Sequence, residues 1–187
     1  MPSASPQAAS CYEAAMGFAS RKAWTARVLV DANHQDEAVA AYDTLLGLVP
    51  QFAEAHSERG LALATLNRHE EALAAYRHAH ELKPESSHIV YNLGCGLGAV
   101  GRHEESLAPF RKAVDLDPTL ATAHANYGAA LGNLGRREEA ASAHRLAIAL
   151  NPSDPRPHRN LAVALLELGR SSIWHRVLLL RLGESRT

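Results

Sequence analysis

The chain of 187 residues is poor in cysteine: Cys11 and Cys95 are too few for a disulfide framework. Its N-terminus has no basic segment leading into an apolar run and cleavage site, so the expected setting is a reducing cytoplasm. Long apolar runs are missing too. The densest, Val177 to Leu180 followed by Arg181 and Leu182, falls far short of the roughly 20 residues that cross a bilayer, and no membrane partner is expected. Neither charge sign dominates, since 19 Lys and Arg stand against 20 Asp and Glu for a net charge of −1. There is no basic field to attract nucleic acid or an anionic membrane. Aromatic residues are only 5% and do not interleave with basic ones, which argues against a helical-repeat RNA code. A glycine-rich phosphate loop and a GxSxG elbow are both absent, so no catalytic residue and no cofactor is assigned.

What the sequence does contain is a period. Pro50, Pro84, Pro118 and Pro152 fall at spacings of 34, and other positions move in step. Gly60, Gly94 and Gly128 form one series, and Ala72, Ser106 and Ala140 a second. Tyr76, Phe110 and His144 make a third, Ala79, Ala113 and Ala147 a fourth, and Leu82, Leu116 and Leu150 a fifth. Each period holds two helical patterns separated by a short break, Asn67-Arg68, Gly101-Arg102 or Gly135-Arg136. The glycines and alanines are placed where two helix axes approach to the usual 8–10 Å. The aromatic or histidine fills the space between successive helix pairs, and the leucine series is expected to close the core between repeats. Proline stops the second helix and is tolerated at the start of the next segment. Glu70-Glu71, Glu104-Glu105 and Glu138-Glu139 fall in the first turn of each second helix, where they complement its dipole. Gly94-Cys95-Gly96-Leu97-Gly98 falls in mid-helix in the same register, where each glycine costs about 1 kcal/mol relative to alanine.

These residues resemble the tetratricopeptide repeat, a helix–turn–helix of 34 residues with Leu-Gly in helix A, Ala and an aromatic in helix B, then Pro. The resemblance implies an all-α fold, a right-handed α-solenoid acting as a non-catalytic protein-interaction module. Three complete repeats are expected at 53–86, 87–120 and 121–154. A degenerate one covers 19–52, where Trp24-Thr25-Ala26 replaces the helix A signature, and a partial one, helix A only, covers 155–170. Residues 1–18 are an N-terminal tail with a capping helix, and 171–187 a divergent C-terminal capping helix or truncated end. Trp174 takes a position where the repeat needs alanine.

The concave wall of such a solenoid is lined by helix A and commonly holds extended peptides. Asn92, Asn126 and Asn160 recur at one helix A position, filled by Glu58 in the preceding repeat. A side-chain amide offers donor and acceptor together, so a row of them can pair with a peptide backbone of any sequence. The series is similar to the asparagine ladder of the O-linked N-acetylglucosamine transferases. Tyr91, Asn133 and Arg159 would add selectivity. Glu54 and Glu58 toward one end and Arg156 and Arg159 toward the other would make the groove dipolar. A chaperone-tail clamp is not expected, because Ser57 and Leu61, or Tyr91 and Cys95, occupy its Lys and Asn positions.

Eleven histidines invite a metal, but the series His56, His124, His158 and the pair His69, His103 are each spaced by 34 or more. His78 and His80 are two apart on a helix and point to different faces, so no metal site is assigned. Two rival readings remain. The chain could be the substrate-recruiting part of a larger glycosyltransferase or sulfotransferase, or a structural oligomerisation unit. The latter rests on the apolar 173–182 segment, which could pack on the last helix pair, form a homodimer, or be the remnant of a longer array. From residue 155 onward six arginines face two glutamates, an asymmetry that could orient a partner.

Overall fold

The computed structural model describes residues 21–30 and 32–183, with side chains up to residue 169. The expected tail and capping helix at 1–18 and the side chains of 173–182 lie outside the described residues. Among these there are nine helices and no strand. The first, α1, is seen over 21–30. It is followed by α2 (Gln35–Leu48), α3 (Ala53–Thr65), α4 (His69–Leu82), α5 (Ser87–Ala99), α6 (His103–Leu116), α7 (Ala121–Asn133), α8 (Arg137–Leu150) and α9 (Pro155–Gly183). The fold is an all-α solenoid type of helix pairs. The chain forms two compact units, one up to Val100 and one from Gly101.

The turns between paired helices share one local design. Asn33, Asn67, Gly101 and Gly135 take left-handed backbone conformations, with φ of 63°, 59°, 79° and 74°. Glycine and asparagine are the residues that enter this region at least cost. The next residue along caps the second helix without a side-chain bond to the backbone. It pairs instead with a carboxylate three residues on: His34 with Glu37 at 2.7 Å, Arg68 with Glu71 at 2.7 Å, Arg136 with Glu139 at 2.7 Å, and Arg102 with Glu105. These carboxylates thus complement the helix dipole and clamp the first turn together. The guanidinium partners hold Glu71 and Glu139 below the usual carboxylate range.

The turn after each second helix is closed differently. His56 Nε2 lies 2.8 Å from the Pro50 carbonyl, His124 Nε2 3.1 Å from that of Pro118, and His158 Nε2 3.0 Å from that of Pro152. The periodic histidines are therefore donors to the proline turn, a role open to the neutral Nε2–H tautomer.

In the first unit the Tyr76 ring sits between two glycines. A Cβ at Gly60 would lie 2.6 Å from Tyr76 Cε1, and one at Gly96 2.8 Å from Tyr76 Cδ2. Leu63, Leu73, Leu93 and Leu97 pack around that ring, and burial pushes the phenol pKa upward. Ala26 takes the glycine register in the first helix pair and is buried with Tyr42 and Leu45. In the second unit His144 covers Gly128, and Leu131 packs with Ala140 and Ala143. One expectation is corrected. Leu82 packs on Ala53, Ala79 and Ile89, but Leu116 and Leu150 are 37% and 42% exposed. Leu82 meets Ile89 of the next helix, whereas the register of Ile89 is held by the smaller Ala123 and Pro157 in the following repeats, which leaves Leu116 and Leu150 without a large apolar partner there.

The last helix begins at a well-formed cap, with Asp154 Oδ1 accepting from the Arg156 backbone N–H at 3.0 Å and Pro155 at the first helical position. From there α9 runs unbroken to Gly183, through the point near Ser171 where the repeat pattern ends. Among the described residues no helix is long and apolar enough to cross a membrane.

Candidate functional site

The asparagine register lies on the first helix of each pair, in mid-helix, one face away from the buried glycine register. Its three members differ in surroundings. Asn92 on α5 is half-buried and its Nδ2 donates to Ser57 Oγ of α3 at 2.9 Å, with Ser57 itself buried. That donor is therefore engaged within the chain. Asn126 on α7 is half-buried and also has a partner. Asn160 on α9 is half-buried, and the residue in the register of Ser57 beside it is Ala125, which has no side-chain acceptor. Among the described residues the Asn160 side chain makes no hydrogen bond.

In the second unit a cavity of about 250 Å³ opens between α7, α8 and α9. Asn133 and Asn160 both line it, with the small residues Ala129 and Gly132 leaving room between them. An ion pair, Arg137 Nε to Glu167 Oε2 at 2.6 Å, stands at its wall. Asn133 Nδ2 is 3.4 Å from His103 Nε2. His144 lines the cavity from α8 at 2% exposure, and among the described residues its Nδ1 has no hydrogen-bond partner. Burial pushes the imidazole pKa down from 6.5, so the ring is neutral at pH 7. The site thus offers two amides and a paired guanidinium over an apolar floor, with the neutral imidazole buried against Gly128 beneath. Such groups recognise polar backbone atoms by hydrogen bonds; they carry little net charge to attract an ion.

The related place in the first unit is a cavity of about 300 Å³ lined by Trp24, Tyr42, Phe52, Glu54 and Glu58. Tyr42 stands in the register of His144, and Glu58 in that of Asn160. The half-buried Tyr91 on α5 lines neither cavity, and neither does Arg159, which is exposed on α9. A more apolar cavity of about 390 Å³ lies between α6, α7 and α8, lined by Tyr127, Leu131 and Leu146 among others. Two of the four charges of the expected dipolar groove, Glu54 and Arg156, are paired locally. Glu54 accepts from Lys83 Nζ at 2.6 Å, a bond that lowers its pKa, and Arg156 binds Asp154 at 2.7 Å.

Three residues of the cavity are not singled out by the repeat pattern: His144, which the period marks only as filler, and Arg137 and Glu167. A polar side chain in a register otherwise held by Tyr76 and Phe110 is the available signal for His144. The Arg137–Glu167 pair joins residues 30 apart on different helices and has no local signal.

A tetratricopeptide repeat family model matches residues 25–87 and 91–155. No curated protein matches the chain significantly. Solved structures do. The crystal structure of PilW, a widely conserved type IV pilus biogenesis factor, is 26% identical with a TM-score of 0.75, covering 81% of this chain and 70% of that one. MamA from Desulfovibrio magneticus RS-1 is 19% identical with a TM-score of 0.74, covering 90% and 96%. YrrB, a TPR protein with an unusual peptide-binding site, is 24% identical with a TM-score of 0.66, covering 77% and 74%. The last two likenesses are of fold.

Proposed function

The chain belongs to the tetratricopeptide repeat family, and from that premise we propose that it is a non-catalytic protein-interaction module that holds an extended peptide segment on its helix-A surface. One observation carries the reading: the cavity between α7, α8 and α9, where the Asn160 and Asn133 amides face a space kept open by Ala129 and Gly132. An extended backbone presents N–H and C=O groups in alternation, and an amide meets both whatever the side chains are. A peptide-binding site in the similar YrrB structure supports the reading by fold. Asn126 in the same unit and Asn92 in the first unit share the register of Asn160. Tyr91 and Arg159 are assigned to peptide side chains. Asn160 is the strongest contributor, because Asn92 already spends its donor on Ser57.

The test starts from peptides selected on the purified chain out of a random display library. Their affinities are then measured by fluorescence anisotropy. Replacing Asn92, Asn126 and Asn160 together by Ala should weaken binding at least tenfold, given about 1 kcal/mol per hydrogen bond. Asn160→Ala alone should cost more than Asn92→Ala. Unchanged affinity in a triple variant that melts like the parent would end the proposal.

A further inference from the structure

The last helix departs from the repeat at one position. The left-handed residues Asn33, Asn67, Gly101 and Gly135 succeed one another at spacings of 34, and the next in register is Gly169. Gly169 is helical, so α9 runs straight through the point at which the four preceding pairs fold back. The sequence also drops the second device of the turn. Where His34, Arg68, Arg102 and Arg136 each find a glutamate three residues on, Arg170 is followed at that distance by Ile173. Ser172 and Ile173 replace the two first-turn carboxylates of the other second helices.

The straight course leaves a packing face of α9 bare. Leu165 is in the register of Leu63 and Leu131; those two are 0% exposed, whereas Leu165 is 43% exposed. Ala162 is in the register of Gly60 and Gly128, which Tyr76 and His144 cover, and it is exposed. Leu166 beside them is 67% exposed. The repeat itself shows what such a face takes: the second helix of a pair, laid antiparallel. In this chain the residues in that register, 171–183, are the continuation of the same helix and cannot reach back while it is straight.

We propose that this face is covered by residues 171–183 of a second copy, the two long helices exchanging their C-terminal halves antiparallel about residue 170. The chemistry of the occupant fits, since Ile173, Trp174, Val177, Leu178 and Leu180 give the segment an apolar content suited to burial. The exchange also accommodates Trp174. A short turn would hold two helices at a distance set for alanine at this register, whereas helices joined by no turn are free to sit further apart. Each copy then covers the exposed face of the other's α9. The contact of Gly128 with His144 places Ala162 of one copy against Leu178 of the other.

Light scattering of the whole chain over a wide concentration range should show a mass rising toward twice 20.1 kDa. In a background with Cys11→Ser and Cys95→Ala, a short bismaleimide should join the pair Ala162→Cys and Leu178→Cys into a covalent dimer on a denaturing gel. Ile173→Glu together with Trp174→Ala, which restores the missing carboxylate and the small residue, should let the chain fold back and give a single-chain mass with unchanged helical content. A chain that stays monomeric at every concentration, or a crosslink that closes only within one chain, overturns the proposal. So does a dimer that persists in the Ile173→Glu, Trp174→Ala variant without linkage between the two introduced cysteines. The crosslinking result decides the matter even if the Ile173→Glu, Trp174→Ala variant fails to fold.

Discussion

Gly96 and Gly98 lie two residues apart on α5 and play opposite parts. A Cβ at Gly96 would stand 2.8 Å from the Tyr76 ring, whose other edge is already pressed against Gly60, so the ring has nowhere to go. Nothing lies within 4 Å of a Cβ at Gly98. Gly96→Ala should therefore destabilise by about 1–3 kcal/mol in urea unfolding, and Gly98→Ala should stabilise by up to ~1 kcal/mol through helix propensity. Equal effects would mean that propensity, and not the ring, governs the position. His144 gives the second prediction at this scale. Its buried ring has a pKa below the unfolded value of 6.5. As pH falls through 6.5 the unfolded chain takes up a proton that the folded chain refuses, so stability is lost from there down to the folded pKa. His56, lowered by its own burial, acts in the same sense. His144→Phe places at this register the ring found at Phe110 and removes an unpartnered buried nitrogen. It should stabilise by about 1–3 kcal/mol and reduce the loss in melting temperature between pH 7.5 and 5.5. A pH dependence identical to the parent's would show that His144 is not the titrating group.

At the scale of the element, the second helices α4, α6 and α8 share length, cap and first-turn charge, and α6 alone of the three carries a proline inside, Pro109. Proline has no N–H to give the carbonyl four residues back, and its ring crowds that carbonyl. The same register holds Ala75 in α4 and Ala143 in α8, both buried. Pro109→Ala should thus stabilise the chain by about 1–3 kcal/mol, read as a shift of the urea midpoint at constant slope. No gain would mean that the neighbours of α6 have adapted to a bend. The Arg–Glu clamps at the starts of these helices are exposed and add little each. Their use is directional: together with the left-handed residue before them they fix where one helix ends and the next begins.

For the whole molecule, repetition makes the interior predictable and the ends special. The helix pairs, the small residues at crossings and the proline turns were legible from the sequence, because a 34-residue period and a 3.6-residue period impose them locally. In the first helix pair Ala26 stands where a glycine is usual and still lets Tyr42 pack, a contact the departure at Trp24-Thr25-Ala26 did not show. The candidate site was legible only in part. Asn133 and Asn160 share a cavity, and nothing in the spacing of 34 distinguished Asn160 from Asn92, whose donor is taken by Ser57. Nor could it show that Glu54 and Arg156 are paired within the chain, that Leu116 and Leu150 lie half in water, or that His144 has a nitrogen without a partner. Periodicity is a property of one helix after another along the chain, and it determined which residues form helices and which faces of those helices are small, apolar or polar. Which polar atoms find partners depends on side chains brought together from different helices, as with Arg137 and Glu167, and only the tertiary structure decides that.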